Sequence, residues 1–147
     1  MRVIFLDIDG VLNTCDGLET GINRGLVEHL NMLVRDSGAS VVVSSSWRVA
    51  GLRRIRTTLR EHGFIGRVSG VTPITSLGIR GLEIQAWLDS CRWSVTSLVI
   101  LDDNDDMAHL HPHLIRTDYR KGLTADDVSE AIDRLRTAFQ HAQAAEA

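Results

Sequence analysis

The chain has 147 residues, enough for one domain with its own hydrophobic core, and its 44% apolar and 24% charged residues are typical of a soluble globular protein. Sixteen basic against 19 acidic residues give a net charge of −3, which argues against a generally basic nucleic-acid coat but not against a local basic groove. The apolar runs are too short to span a bilayer and no leader-like segment precedes them, so we expect a cytoplasmic protein with no membrane partner. The two cysteines, Cys15 and Cys91, have neither disulfide-framework nor metal-binding spacing.

Strands and helices are predicted to alternate along the chain. In order, the pattern predicts a strand over 2–6, a helix over 23–37, a strand over 40–43, a helix over 48–62, a short strand over 67–69, a helix over 82–91, strands over 97–101 and 113–116, and a helix from Thr124 to Gln140. In the second helix Val49, Leu52, Ile55 and Leu59 are expected to face the core. Residues 1–140 are therefore expected to form a single domain, and residues 141–147 a frayed tail.

Buried strands joined by helical crossovers predict a three-layer α/β/α sandwich around a mainly parallel sheet. In such open sheets ligands bind at the carboxyl ends of the strands. The three strongest strands each end in a polar cluster, at residues 7–10, 44–46 and 102–106. These clusters are expected to converge on one edge of the sheet and to form the site there.

The acidic clusters indicate a site for a hard cation. Asp7 and Asp9 leave one strand, and Asp102 leaves another as the best candidate ligand, with Asp103 and Asp106 competing for a second position. Carboxylates this close repel one another unless a cation lies among them, and Mg²⁺ prefers oxygen ligands. A carboxylate beside the cation can attack phosphorus, and a second can protonate the leaving oxygen.

A serine cluster and an arginine are suited to the phosphate. Ser44, Ser45 and Ser46 stand at a strand-to-helix junction, where hydroxyls and backbone N–H groups bind anions. Phosphate contact is favoured for Ser44, whereas for Ser46 a helix cap and a phosphate contact stay open. Arg80 precedes a helix and offers the positive charge that neutralises a transferring phosphoryl group.

In this order the motifs resemble the haloacid dehalogenase (HAD) superfamily of phosphotransferases. The first motif is matched by FLDIDGVLN at 5–13, the second by VVVS at 41–44, the basic third by Arg80, and the acidic fourth by Asp102 and Asp103 with Asp106. The resemblance implies that Asp7 is the nucleophile, Asp9 the general acid and base, Ser44 a phosphate ligand and Arg80 the charge stabiliser. It also implies that Mg²⁺ is held by Asp7, the backbone carbonyl of Asp9, and Asp102.

Two features of the sequence indicate which members of the superfamily the chain resembles most. The intervals from Asp7 to Ser44 and from Ser44 to Arg80 hold one helix each and leave no room for a cap domain. The segments SSSWR at 44–48, RGLEI at 80–84 and GLT at 122–124 are similar to the HAD domains of bacterial RNA-repair proteins, with polynucleotide 3′-phosphatases as the nearest enzymes. The resemblance therefore implies an open site for RNA or DNA ends and allows a repair-protein partner.

The arginines are the sequence feature suited to a nucleic acid. Fifteen of the 16 basic residues are arginine, and Arg48, Arg53, Arg54, Arg56, Arg60 and Arg67 share one stretch with a single acid, Glu61. For Arg48 a substrate contact is favoured, whereas for the others a solvated helix face is slightly favoured over a phosphate-binding face. Trp47 can stack on a base, although an aromatic at a helix start more often packs in the core.

The sequence thus predicts a Mg²⁺-dependent phosphomonoesterase that acts through an aspartyl-phosphate on a nucleic-acid or nucleotide terminal phosphate. Two alternatives stay open: a phosphatase of small metabolites, and a non-catalytic module that binds RNA or a partner protein.

Overall fold

The fold is built from five strands and four α-helices in the part of the chain that the computed structural model describes, residues 1–14 and 21–146. In chain order these are β1 Arg2–Leu6, α1 Arg24–Ser37, β2 Ser40–Val43, α2 Leu52–Glu61, β3 Val68–Val71, α3 Arg80–Ser90, β4 Ser97–Asp102, β5 Leu114–Arg116 and α4 Ala125–Glu146. Short 3-10 helices span Ser46–Ala50 and Ala108–His113. Each predicted strand and helix is present, with shifts at the ends.

The five strands form one sheet in the order β3-β2-β1-β4-β5, and each paired strand is parallel to its neighbour. In chain order, β2 pairs with one side of β1 and β3 pairs with β2. The chain then crosses to the other side of β1, where β4 pairs with β1 and β5 pairs with β4. The strand order therefore reverses between β1 and β4, and this switch point is where open α/β sheets bind ligands.

Alternate residues of the strands face opposite layers, as the two-residue period of a strand requires. On one face Ile4 and Leu6 of β1 pack in a core formed with α1, α2 and α4. On the other face Val3 and Phe5 pack against α3 and the 3-10 helix Ala108–His113. The α/β/α sandwich is confirmed, and the described connections hold no cap domain.

Local sequence signals define the helix ends. The Asn23 side chain accepts hydrogen bonds from the backbone N–H groups of Gly25 and Leu26, which are otherwise unpaired at the start of α1. Thr124 and Asp127 exchange side-chain-to-backbone hydrogen bonds in a reciprocal cap before α4. That helix runs to Glu146, past the end predicted at Gln140.

The predicted helix over 48–62 is wrong at its start. A 3-10 helix ends at Ala50, and Gly51, with φ 91° and ψ 156°, separates it from α2. Because this backbone conformation lies outside the helical region, the apolar period does not continue through it. Val49 is consequently 76% exposed rather than in the core, whereas Ile55 and Leu59 are buried as expected.

No helix in the described ranges combines the length and the apolar character that crossing a bilayer would require.

Candidate functional site

Each of the five strands ends in a buried polar residue at the carboxyl edge of the sheet. These residues are Asp7, Ser44, Thr72, Asp102 and Thr117. The backbone ladder continues to them, because Asp7 N donates to Leu101 O and Ser44 N donates to Leu6 O, both at 2.9 Å. The predicted convergence of polar clusters on one edge is therefore what the topology produces.

Three carboxylates meet at the switch point between β1 and β4. Asp7, Asp102 and Asp103 each offer a ligand atom within 4.8 Å of the others, and we call this group the acidic trio. Gly10 makes the approach of Asp103 possible, since it has φ +83° and a Cβ there would lie 2.4 Å from the Asp103 Oδ2 atom. The trio consists of oxygen donors only and fits a hard divalent cation.

Arg80, the first residue of α3, extends its guanidinium into the acidic trio. Its Nη1 atom lies 3.1 Å from Asp102 Oδ2 and 3.4 Å from Asp7 Oδ1. Burial raises the pKa of Asp102 to about 8, with the charge of Asp7 adding to the rise and Arg80 opposing it. Burial also raises the pKa of Asp7, and again the nearby Arg80 opposes the shift. Two carboxylates in this dry environment therefore need more positive charge than Arg80 supplies to stay ionised together.

Asp106 does not join this group, and its place among the metal ligands, as the alternative to Asp103, stays a prediction. Its Oδ2 atom accepts a hydrogen bond from the Arg80 backbone N–H at 3.3 Å, and its carbonyl accepts one from Gly81 N at 3.0 Å. Asp106 thus caps the first turn of α3, which has orphan N–H groups to satisfy. Of the two residues competing for the second ligand position, the geometry favours Asp103.

The three serines after β2 have different surroundings. The Ser44 hydroxyl is fully buried and has no hydrogen-bond partner, an arrangement that leaves it free to bond a phosphate oxygen. Ser45 is also buried, and its hydroxyl accepts a hydrogen bond from Trp47 N at 3.2 Å. The cap of the short helix is therefore Ser45, whereas Ser46 is exposed at its first position.

Arg48 does not present its guanidinium to the surface, contrary to the expected substrate contact. It is 9% exposed; its Nη1 atom donates to the carbonyls of Ser44 and Ser45, and its Nη2 atom lies 2.8 Å from Glu83 Oε1. The other oxygen of Glu83 accepts from Thr75 N at 2.9 Å. This buried ion pair connects the loop after β2 to α3 and hence to the helix that carries Arg80.

The sequence prediction does not include Glu83, because one glutamate in a helix carries no catalytic motif. The available signal is helical spacing, since Glu83 precedes Ile84 and stands four residues before Trp87, on the buried side of α3. Thr72 was missed as well: its buried hydroxyl, two residues beyond Gly70, has no hydrogen-bond partner and lies at the same edge as Ser44. The sequence hides the signal of a polar residue after a strand, because the predicted strand ends at residue 69, whereas β3 runs to Val71 and Thr72 follows it directly.

Asp9 lies apart from the acidic trio and is held by other partners. Trp47 Nε1 lies 3.1 Å from each of its two carboxylate oxygens, and Asn13 Nδ2 donates to Oδ1 at 2.9 Å. The ligand predicted from Asp9 is its backbone carbonyl, which stays a prediction. Cys15, which follows this motif, lies outside the described residues.

The parallel sheet, its switch point and the acidic trio with Arg80 define an α/β domain with a charged ligand site at the carboxyl edge of its sheet. The family model described as the HAD domain in Swiss Army Knife RNA repair proteins matches residues 3–128, and the chain belongs to this family. No curated protein and no solved structure matches the chain. Membership implies a phosphatase-type activity in RNA repair, and HAD domains generally use a divalent metal, for which the trio offers ligands.

Proposed function

We propose that the protein is a Mg²⁺-dependent phosphomonoesterase that transfers the phosphoryl group to Asp7 and acts on the terminal phosphate of an RNA. The observation that carries this proposal is the acidic trio at the switch point, with the Arg80 guanidinium between Asp7 and Asp102. A nucleophile, a cation site and a fixed positive charge are thereby brought to one place on the sheet edge.

The chain's own residues divide the reaction between them. An Asp7 oxygen attacks phosphorus while the ester P–O bond breaks, and Asp9 gives its proton to the departing alcohol. Asp9 then takes a proton from water, the water oxygen attacks the phosphorus of the acyl-phosphate, and inorganic phosphate leaves Asp7. Arg80 neutralises charge on the phosphoryl oxygens, and the unpaired Ser44 hydroxyl donates to one of them.

Asp7, Asp102 and Asp103 would hold the cation, together with the backbone carbonyl of Asp9. Bound there, Mg²⁺ supplies the positive charge that keeps the buried carboxylates ionised and screens them from the phosphate. The fit is supported by the donor set, which is made of oxygens, and by the burial that raises the pKa of both Asp7 and Asp102.

The charge distribution supports an RNA substrate. The whole chain has a net charge of −3, yet residues 52–67 hold five arginines against the single acid Glu61. All five are exposed, and we call this surface the α2 arginine face; it comprises Arg53, Arg54, Arg56, Arg60 and Arg67. A groove of about 370 Å³ between α2 and β3 is lined by Arg56, Arg60 and Arg67. The face starts near the site, because α2 begins shortly after the carboxyl end of β2.

A comparison of substrates tests the proposal. Phosphate release is measured in Mg²⁺ from a 3′-phosphorylated RNA, a 5′-phosphorylated RNA, the matching DNA strands and a panel of small phosphomonoesters, each beside Asp7→Asn. We expect the fastest release from one RNA end and none from the variant. Release from small esters alone would favour the metabolite phosphatase, whereas RNA binding without any release would favour the non-catalytic module.

Two variants separate binding along the α2 arginine face from chemistry. Arg53→Ala with Arg60→Ala is expected to raise KM for the RNA severalfold and to reduce the dependence of binding on salt, because each phosphate contact adds about one to the salt slope. The release rate from p-nitrophenyl phosphate should not change. Arg92→Ala removes an exposed arginine after the end of α3, in the helical layer on the other face of the sheet, and is the matched control.

A further inference from the structure

The carboxylate of Asp9 is clamped by an indole. Trp47 Nε1 lies 3.1 Å from Oδ1 and 3.1 Å from Oδ2, so one N–H is shared between both oxygens. Asn13 adds a hydrogen bond to Oδ1, and its own carbonyl oxygen accepts from Gly10 N at 3.0 Å. The side chain of Asp9 is therefore fixed from two sides, while Asp7 belongs to the separate acidic trio.

Trp47 is itself held in place by its neighbours. It lies in the 3-10 helix after β2, its backbone N–H is bonded to the Ser45 hydroxyl, and its ring packs against the main core. The next residue, Arg48, is anchored by the carbonyls of Ser44 and Ser45 and by Glu83. The indole N–H is thus a rigid donor, presented by the same loop that carries the Ser44 hydroxyl.

We propose that Trp47 is a positioning residue for Asp9, setting the carboxyl group at the distance and angle at which it protonates the leaving oxygen. This inference rests on the proposed function, in which Asp9 is the general acid and base. An indole N–H only donates, so Trp47 cannot take the proton that Asp9 transfers. Its role is to hold the Asp9 carboxyl group, whose oxygens accept the hydrogen bond from the indole. A displacement of about 1 Å in such a group lowers a rate by up to about 100-fold.

The leaving group distinguishes this role from a purely structural one. An alkyl ester, such as the 3′-phosphate of an RNA, expels a strongly basic alkoxide unless the acid protonates it. The p-nitrophenolate ion leaves without a proton, so transfer of the phosphoryl group from p-nitrophenyl phosphate to Asp7 depends little on the position of Asp9. Hydrolysis of the acyl-phosphate, in which Asp9 takes a proton from water, follows for both esters and does not enter kcat/KM, which ends with the loss of the leaving group. A defect in Asp9 placement must therefore lower kcat/KM for the first ester and not for the second.

The test is Trp47→Phe, which keeps an aromatic ring and removes the N–H. We expect kcat/KM for the RNA 3′-phosphate, or for β-glycerophosphate, to fall about 10-fold to 100-fold. The kcat/KM for p-nitrophenyl phosphate should stay within about threefold of the wild-type value. Trp87→Phe is the matched control, since Trp87 packs against Phe5 on the other face of the sheet and its loss should not depend on the leaving group.

A double variant completes the test. Asp9→Asn should show the same dependence on leaving group, and Trp47→Phe added to it should cause no further loss, because the two residues act through one step. Equal losses of kcat/KM on both esters in Trp47→Phe, an unchanged kcat/KM for the alkyl ester, or additive losses would each overturn the positioning role while leaving the phosphatase in place. An inert wild-type protein on every ester would instead refute the proposed function, and the positioning role with it.

Discussion

Gly81 is the residue at which a single methyl group should disrupt the site from a distance. It is the second residue of α3, next to Arg80, and its N–H donates to Asp106 O at 3.0 Å. A Cβ at this position would lie 1.9 Å from the carbonyl oxygen of Met107 and 2.1 Å from the carbonyl carbon. Both clashing groups belong to the backbone, so no side-chain rotation relieves the contact.

The size of the effect of Gly81→Ala follows from this distance. Ordinary contact begins at 3.4 Å, so α3 and the 105–107 loop must separate by about 1.5 Å. We expect a loss of about 3 kcal/mol in unfolding free energy, the upper range for overpacking, and a fall in Tm of about 10 °C. A shift of this size also breaks the contacts that Arg80 makes at 3.1 and 3.4 Å, so kcat should fall about 100-fold.

Thermal unfolding and phosphate release together measure the effect of Gly81→Ala. The control is Gly21→Ala, because among the described residues no atom lies within 4 Å of a Cβ at Gly21 and its φ is ordinary. The unfolding free energy of the Gly21→Ala control should remain within about 0.5 kcal/mol of the wild-type value. A Gly81→Ala protein with wild-type Tm and wild-type activity would show that the close approach of α3 to this loop does not position Arg80.

Three further variants test separate parts of the structure. Asp102→Asn is measured in the metal-free protein. Because the native pKa of Asp102, about 8, lies above its ordinary value of 3.8, between these two values the native state holds a proton that the unfolded chain has lost. The stability of the wild type therefore falls as the pH rises through that window. In urea unfolding from pH 5 to 8, the unfolding free energy of the wild type should fall more steeply than that of the variant, by at most about 1.4 kcal/mol per pH unit. Equal slopes for the two proteins would contradict this prediction. Glu83→Leu leaves Arg48 buried without its partner and should cost about 3 kcal/mol in urea unfolding, of which Arg48→Met in the same chain recovers most; a double variant no more stable than the single one would refute this. Ala108→Gly relieves a φ of 50° and should raise stability by up to about 1 kcal/mol in thermal unfolding, whereas a lower Tm would refute the strain.

The fold could be predicted from the sequence because its signals are local. Unbroken apolar runs rich in β-branched residues define β1 and β2, and the Thr124 and Asp127 pair defines the start of α4. The prediction that Val49 faces the core is wrong for a physical reason. The positions before and after Gly51 both fit a helical apolar period, and only the backbone angles of Gly51 show that the helix is interrupted. A glycine inside a periodic pattern is tolerated in some helices and ends others, and tertiary contacts decide which.

The site could be predicted in part, at the residues that follow strands directly. The meeting of Asp7 with Asp102 follows from the sheet topology, whereas the choice between Asp103 and Asp106 depends on how the loop after β4 turns toward α3. The positions of Arg48 and Trp47 could not be predicted, since each depends on a contact with a residue distant in sequence. For Arg48 the decisive partner is a buried glutamate, which turns an expected surface cation into an internal connection.

The most direct test of the central claim is to look for the phosphoryl group on Asp7. The protein is mixed with Mg²⁺ and a ³²P-labelled 3′-phosphorylated RNA, quenched in acid within one turnover, and digested for mass spectrometry. The account predicts label on the peptide that contains Asp7, lost after hydroxylamine treatment and missing in Asp7→Asn. Rapid release of phosphate by the wild type with no label on that peptide, or full activity of Asp7→Asn, would contradict it.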